Sequence, residues 1–274
     1  MRRRWLAAPF LLWSAAFIII PIFMIIWFAL TDQSGSFTWS NILEMGLADN
    51  IKALALALLL SIAATLICLV IAYPIAMILA GKKNGRNTMI AMLFILPMWM
   101  NFLLRTMAWQ TLLEKNGVIN TILRVLHLPA VTIINTPGAV ILGMVYNFLP
   151  FMILPLYTVL SKIDREITYS ARDLGAGPFQ TFVKITLPLS KPGMISGITM
   201  VFVPALTTFV ITDLLGGGKV QLIGNTIEQE FIQGSSWHVG SGLSLILMIF
   251  VFISMVLVAK YDPQSTGTAI GGRP

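Results

Sequence analysis

Few residues in this sequence are of a type that does chemistry, and most of those stand alone. Gly216-Gly217-Gly218-Lys219 has the look of a phosphate loop, but Asp213 stands where such a loop needs its first glycine and Val220 where it needs Ser or Thr. A flexible turn accounts for the glycines, and the chain then shows no nucleotide site. His127 and His238 have no companion ligands at metal spacing. The one cysteine, Cys68, lies in an apolar run, where a small buried hydrophobe fits. No Ser-His-Asp set or carboxylate pair stands out within the apolar segments, so an enzyme is not expected.

Two charges do interrupt apolar runs. Arg105 follows eighteen uncharged residues, and Asp213 ends the uncharged run from Pro192 to Thr212. A charge in hydrocarbon costs about 2.5–3.5 kcal/mol even on the lenient scale, which makes each a functional candidate. Snorkelling to the nearby outer interface is the competing reading for both. Trp99, Trp109, Tyr146 and Phe209 could offer aromatic faces to an ammonium group. An aromatic belt or plain helix packing is the alternative for each.

The elements that must position these residues cross a membrane. Of 274 residues 57% are hydrophobic and 11% charged, whereas soluble domains carry about a quarter charged residues. Uncharged runs predict six spans: Pro9 to Leu30, within Ala53 to Ala80, Asn87 past Arg105 to about Trp109, within Pro137 to Leu160, Gly193 to Leu215, and Leu243 to Ala259. At about 1.5 Å per residue each can cross a hydrocarbon core about 30 Å thick. Arg2-Arg3-Arg4 before the first run resembles the start of a signal peptide. The uncharged run is 26 residues long with no clear cleavage signal, so an uncleaved span is expected. The net charge of +7 does not indicate nucleic acid, because the basic residues sit at the ends of apolar runs. With a cytoplasmic N-terminus, 13 of the 18 Lys and Arg fall in segments 1–8, 81–86, 161–191 and 260–274, which predicts both termini inside. Asp32, Glu44, Asp49, Glu114, Glu228 and Glu230 then face outward, and the tail 262–274 has the composition of a disordered segment.

Ser161 to Lys191 is a charged, glycine-punctuated island between apolar runs. Asp164 can cap a helix whose apolar positions are Ile163, Ile167, Ala171 and Leu174, and Gly175-Ala176-Gly177-Pro178 ends it. Pro178 can start a second short helix with Phe179, Phe182, Val183 and Ile185 on its apolar side. Pro188 and Pro192 then bend the chain into the fifth span. Mixed charges on the first helix favour docking to a soluble protein; an interfacial helix lying on lipid is the alternative.

The island also carries a resemblance. Tyr169-Ser170-Ala171, three residues, Gly175, nine residues, Ile185, one residue and Leu187-Pro188 resemble the E-A-A, G, I-x-L-P signature of binding-protein-dependent ABC importer permeases. Tyr169 and Ser170 replace the usual Glu and Ala, so no role is assigned to that Glu. Tyr73-Pro74, Pro97 to Asn101 with Leu104-Arg105, Lys115 to Asn120, Leu149 to Tyr157, Asp213 to Gly217 and Leu222 to Gly224 are similar to polyamine importer permeases, which carry spermidine and putrescine. The resemblance implies an all-α membrane protein with the six-helix type I (MetI-like) fold, one permease domain over 1–274, in the inner (plasma) membrane of a bacterial cell. It implies that 161–191 is a coupling loop that docks in a groove of an ATPase through Ala171, Arg172, Asp173, Leu174, Gly175, Ala176 and Gly177. The implied partners are a second homologous permease, an ATPase dimer holding ATP and Mg, an external polyamine-binding protein, the polyamine and membrane lipid, with no cofactor on this chain. Trp99, Asn101, Arg105, Trp109, Tyr146, Phe209 and Asp213 are then the expected substrate path. Import of another small solute and an ion-coupled secondary transporter remain alternatives; the absence of a visible inverted repeat counts against the latter.

Overall fold

The computed structural model describes residues 8–81, 89, 96–232 and 236–260. Arg2, Arg3, Arg4, Lys82, Lys83, Arg86, Arg273 and the tail 262–274, which carry part of the orientation and disorder expectations, lie outside the described residues. Short turns at Ser40–Leu43, Glu44–Gly46 and Leu96–Trp99 apart, the helices in chain order are α1 (Pro9–Leu30), α2 (Ala48–Ala80), α3 (Phe102–Leu113), α4 (Val118–Val125), α5 (Pro137–Leu160), α6 (Arg165–Asp173), α7 (Pro178–Leu189), α8 (Lys191–Thr207), α9 (Val210–Gly216), α10 (Ile223–Ile232) and α11 (Trp237–Lys260). The β pairing among the described residues is an isolated bridge between Thr31 and Phe37.

Four helices, α1, α2, α5 and α11, are long and apolar enough to cross a membrane; α7 with α8, bent by 64°, makes a fifth if counted as one span. Two of the six expected spans differ from continuous helices. The third is broken before α3, where the Asn101 carboxamide accepts from the Leu103 and Leu104 amides at 2.9 and 3.3 Å and starts a new helix. Its upstream part at 90–95 lies outside the described residues. The fifth ends at Thr207: Thr208 is extended (φ −68°, ψ 139°), and α9 begins afresh at Val210.

The chain divides into two compact units, Met1–Ala55 with Ile223–Ile253, and Leu56–Leu222 with Ser254–Pro274. In the first, the end of α1 is tied down by polar contacts. The Asn41 amide donates to the Ala29 and Thr31 carbonyls at 3.2 and 2.8 Å, and His238 Nδ1 lies 3.1 Å from the Phe28 carbonyl oxygen. Gly242 lies so close to the Asn41 carbonyl that no side chain fits there. Asp32, in the turn after α1, accepts from the Ser34 hydroxyl and from the Ser34 and Ser36 amides, and the Ser34 hydroxyl above all holds its carboxyl below the usual range. The rest of α1 is exposed, including Phe10, Trp13, Phe17 and Phe23, as suits a helix surrounded by hydrocarbon.

In the second unit α5 is the axis. It starts at Thr136, whose hydroxyl accepts from the Ala139 amide, with Pro137 in the first turn. Helices α3, α8 and α9 all pack on it. Small residues set the approach. Gly193 and Gly197, one turn apart on α8, lie against Pro155 and Val159 and against Met152 of α5. Gly143 of α5 receives Ile211 and Leu215 of α9. On α2, Ala57, Ala64, Cys68, Ala72 and Ala76 are fully buried, and the Cys68 thiol points to the Val145 carbonyl at 3.8 Å.

Candidate coupling segment and translocation path

The island forms as its local signals dictate. Asp164 is the N-cap of α6 and its carboxylate accepts from the Glu166 amide at 3.1 Å. Gly175, at φ +86°, closes the helix: its amide donates to the Arg172 carbonyl at 2.9 Å and the Ala176 amide to the Ala171 carbonyl at 3.0 Å. This is a Schellman closure, which needs a left-handed residue at the glycine position. Gly177 then caps α7, with Pro178 in its first turn. The result is a corner that turns apolar side chains outward: Leu174 is 90% exposed and Phe179 77% exposed. Arg172, Asp173 and Gly175 are exposed around them, with Ala171, Ala176 and Gly177 half-buried beneath. Behind the corner lies a cavity of about 860 Å³, with Phe151 and Pro155 of α5, Met200 of α8 and Lys162 and Asp164 among its lining residues.

The structure brings together three of the expected path residues. Arg105 on α3 is 6% exposed, and its guanidinium carbon lies 5.9 Å from the Tyr146 ring centre and 6.0 Å from that of Phe102. Trp109, one turn on from Arg105, meets Tyr146 edge-on at 5.2 Å. Arg105 therefore takes the cation position at Tyr146, and a soluble ammonium group would compete with it for that ring. Phe209, the N-cap of α9, and Asp213, one turn into it, form a second group, both exposed, with the Asp213 amide bonded to the Phe209 carbonyl at 2.9 Å. Trp99 is 83% exposed ahead of α3 and makes no ring contact among the described residues. Asn101 is an exposed N-cap.

Reasoning from charge and aromaticity passed over a buried polar set where α3, α5 and α9 pack on one another. Asn147 Nδ2 donates to the Gly143 carbonyl at 2.9 Å and faces Thr106 Oγ1 at 3.4 Å, while Thr106 donates to the Phe102 carbonyl at 2.9 Å. Asn147 Oδ1 and Thr212 Oγ1 are buried with no hydrogen-bond partner among the described residues. An amide midway along the apolar run Pro137–Leu160 was the signal that could have found this set. The turn after α9 is shaped by Gly217 and Gly218 at φ +54° and +74°, with the Asn135 side chain packed under Gly217 and the Asn135 amide on the Leu215 carbonyl at 2.8 Å. It has no feature of a phosphate loop beyond its glycines.

A membrane-embedded helical chain with an exposed, glycine-closed corner matches known proteins closely. Residues 72–264, more than half of the chain, match the family described as binding-protein-dependent transport system inner membrane component. The spermidine/putrescine transport system permease protein PotB of Haemophilus influenzae is 36% identical over 254 residues, covering 88% of each chain. Its Escherichia coli K12 namesake is 36% identical over 254 residues, covering 89% of this chain and 92% of that one. The inner membrane ABC transporter permease protein YdcU of Escherichia coli K12 is 30% identical over 238 residues, covering 82% and 74%. In fold, the chain is similar to one from a bacterial ABC transporter involved in import of the acidic polysaccharide alginate, with TM-score 0.75 over 96% of both chains at 16% identity. A bacterial alginate ABC transporter in complex with its alginate pentasaccharide-bound periplasmic protein gives TM-score 0.79 over 98% of both chains, also at 16% identity. The chain belongs to the binding-protein-dependent transport system inner membrane components, a family of membrane permease subunits.

Proposed function

We propose that this chain is one permease of an ATP-driven importer that carries spermidine or putrescine into the cytoplasm. The observation that carries this reading is 36% identity, sustained over about nine-tenths of the chain, to permeases named for that transport. The chemistry is consistent with it, since a polycation crossing the membrane needs carboxylates, carbonyls or aromatic faces along its way. Asp213 on α9 and Phe209 at its N-cap are the proposed cation-facing pair near the outer mouth, with Trp99, Asn101, Trp109 and Tyr146 along the same path. Arg105 acts there as a positioning cation that a substrate ammonium must displace or pass.

In this reading the α6–α7 corner, residues 171–177, inserts into a partner ATPase, and Leu174 and Phe179 supply the apolar contact. Closure of the ATPase dimer around ATP and Mg pushes the corner, and α8 carries the motion along α5. A second permease completes the path, and an external binding protein delivers the solute. The arrangement has six spans with both termini cytoplasmic, in the inner membrane of a bacterial cell.

The test is uptake of radiolabelled spermidine and putrescine by cells whose own polyamine importers are deleted and which express this chain with its partner subunits. Uptake should survive a protonophore and stop when ATP is depleted. Abolition by the protonophore with ATP intact would make the chain part of an ion-coupled carrier. ATP-dependent import of a different solute, with no polyamine uptake, would leave the permease reading and remove the polyamine.

A further inference from the structure

We propose that Tyr73 and Ser190 form a latch that sets the angle of the elbow between α7 and α8, and so act as positioning residues for transport; this rests on the reading of α6–α7 as the coupling segment. The two residues are 117 positions apart in sequence, and their hydroxyl oxygens lie 2.7 Å from each other. Both are buried. With the Ser190 hydroxyl proton on the Leu187 carbonyl at 3.0 Å, Tyr73 donates to Ser190 Oγ; either hydroxyl can act as the donor in this pair. The Tyr73 ring also meets Phe182 of α7 edge-on, at 5.5 Å and 88°.

The place of this bond distinguishes it from ordinary packing. Ser190 is the residue at which the helix axis turns by 64°. Pro188 and Pro192 flank it, and neither has an amide proton for the helical ladder. Phe182–Thr186, just upstream, is wound as a π-helical turn, a local departure from α-helical bonding. Pro74, next to Tyr73, removes a ladder bond from α2 at the same level. The backbone is thus weakened on both sides of the contact, and a side-chain bond joins the weak points. A cavity of about 360 Å³ lined by Tyr73, Pro74, Phe182, Leu187 and Met194 leaves room for the ring to move when the elbow changes angle. Breaking one buried hydrogen bond would shift a two-state elbow by about tenfold.

The experiment uses the complete importer in proteoliposomes, with labelled spermidine on its binding protein, and reads solute imported per ATP hydrolysed. Tyr73→Phe keeps the ring on Phe182 and removes one oxygen. It should assemble normally and lower the ratio by about tenfold. Ser190→Ala should do the same, the double variant should be no worse than the poorer single one, and Ser190→Thr should restore coupling. A lower melting temperature with an unchanged ratio would overturn the latch, as would simple additivity in the double variant. If the wild-type complex itself shows no ATP-driven spermidine import, the proposed function fails and the latch with it. If the wild type is coupled and the variants match it, the latch alone fails.

Discussion

At Gly175 the backbone sits at φ +86° with open space around the missing side chain, so conformation, and not room, demands glycine there. A β-branched residue in left-handed geometry costs about 1–2 kcal/mol. Gly175→Val should therefore loosen the corner and lower polyamine uptake by about tenfold, with the protein still in the membrane. Gly175→Asn, which tolerates that geometry, should keep most of the activity. Equal uptake by the Val variant would show that the corner need not be rigid. The exposed carboxylate at Asp213 makes a separate case, because the polyamine would bring the opposite charge to it. Asp213→Asn preserves shape and should raise the half-saturating concentration for spermidine several-fold, while the other subunits still co-purify. If transport is unaltered, Asp213 serves as part of the α9 turn and not as a substrate ligand.

Among the elements, the α5–α8 seam leaves little room for an added group. A Cβ at Gly193 would stand 3.0 Å from the Pro155 carbonyl oxygen and 3.1 Å from Val159 Cβ. Neither atom lies at the end of a flexible chain. Overpacking of this kind typically costs about 1–3 kcal/mol. Gly193→Leu should lower the melting temperature in detergent by about 3–10 °C. It should also impair transport, since α8 could no longer ride closely along α5. A melting temperature within error of wild type would mean that the seam is looser than its contacts suggest. Gly175 and Gly193 thus serve different ends, the first for a backbone angle and the second for the approach of two helices.

For the whole molecule, the charge bias makes a prediction that no helix makes alone. If the N-terminus is cytoplasmic, 13 of 18 Lys and Arg fall on the inner side, which predicts residue 170 inside and residue 230 outside. In a Cys68→Ala background, Glu230→Cys should react with an impermeant thiol reagent added to intact cells, and Ser170→Cys should react only after the membrane is opened. The opposite pattern would invert the importer and place the α6–α7 corner on the side without ATP.

The parts that the sequence determined by itself are those whose causes lie within a few residues. Apolar runs marked α1, α2, α5 and α11; Asp164 and Gly175 marked the two ends of α6; and the spacing from Ala171 to Pro188 marked the family. Each follows from local backbone bonding, from local hydrophobicity or from a contiguous motif. The tertiary structure decided what depends on distant partners. The Asn101 cap is local as well, yet hydropathy alone runs through it, as it runs through the extended Thr208. Arg105 met Tyr146, Asn147 met Thr106, and Tyr73 met Ser190 only once the helices had packed. No local rule encodes such pairings: side chains 41 to 117 residues apart meet through helix packing, and their polar groups then bond because water is excluded between them.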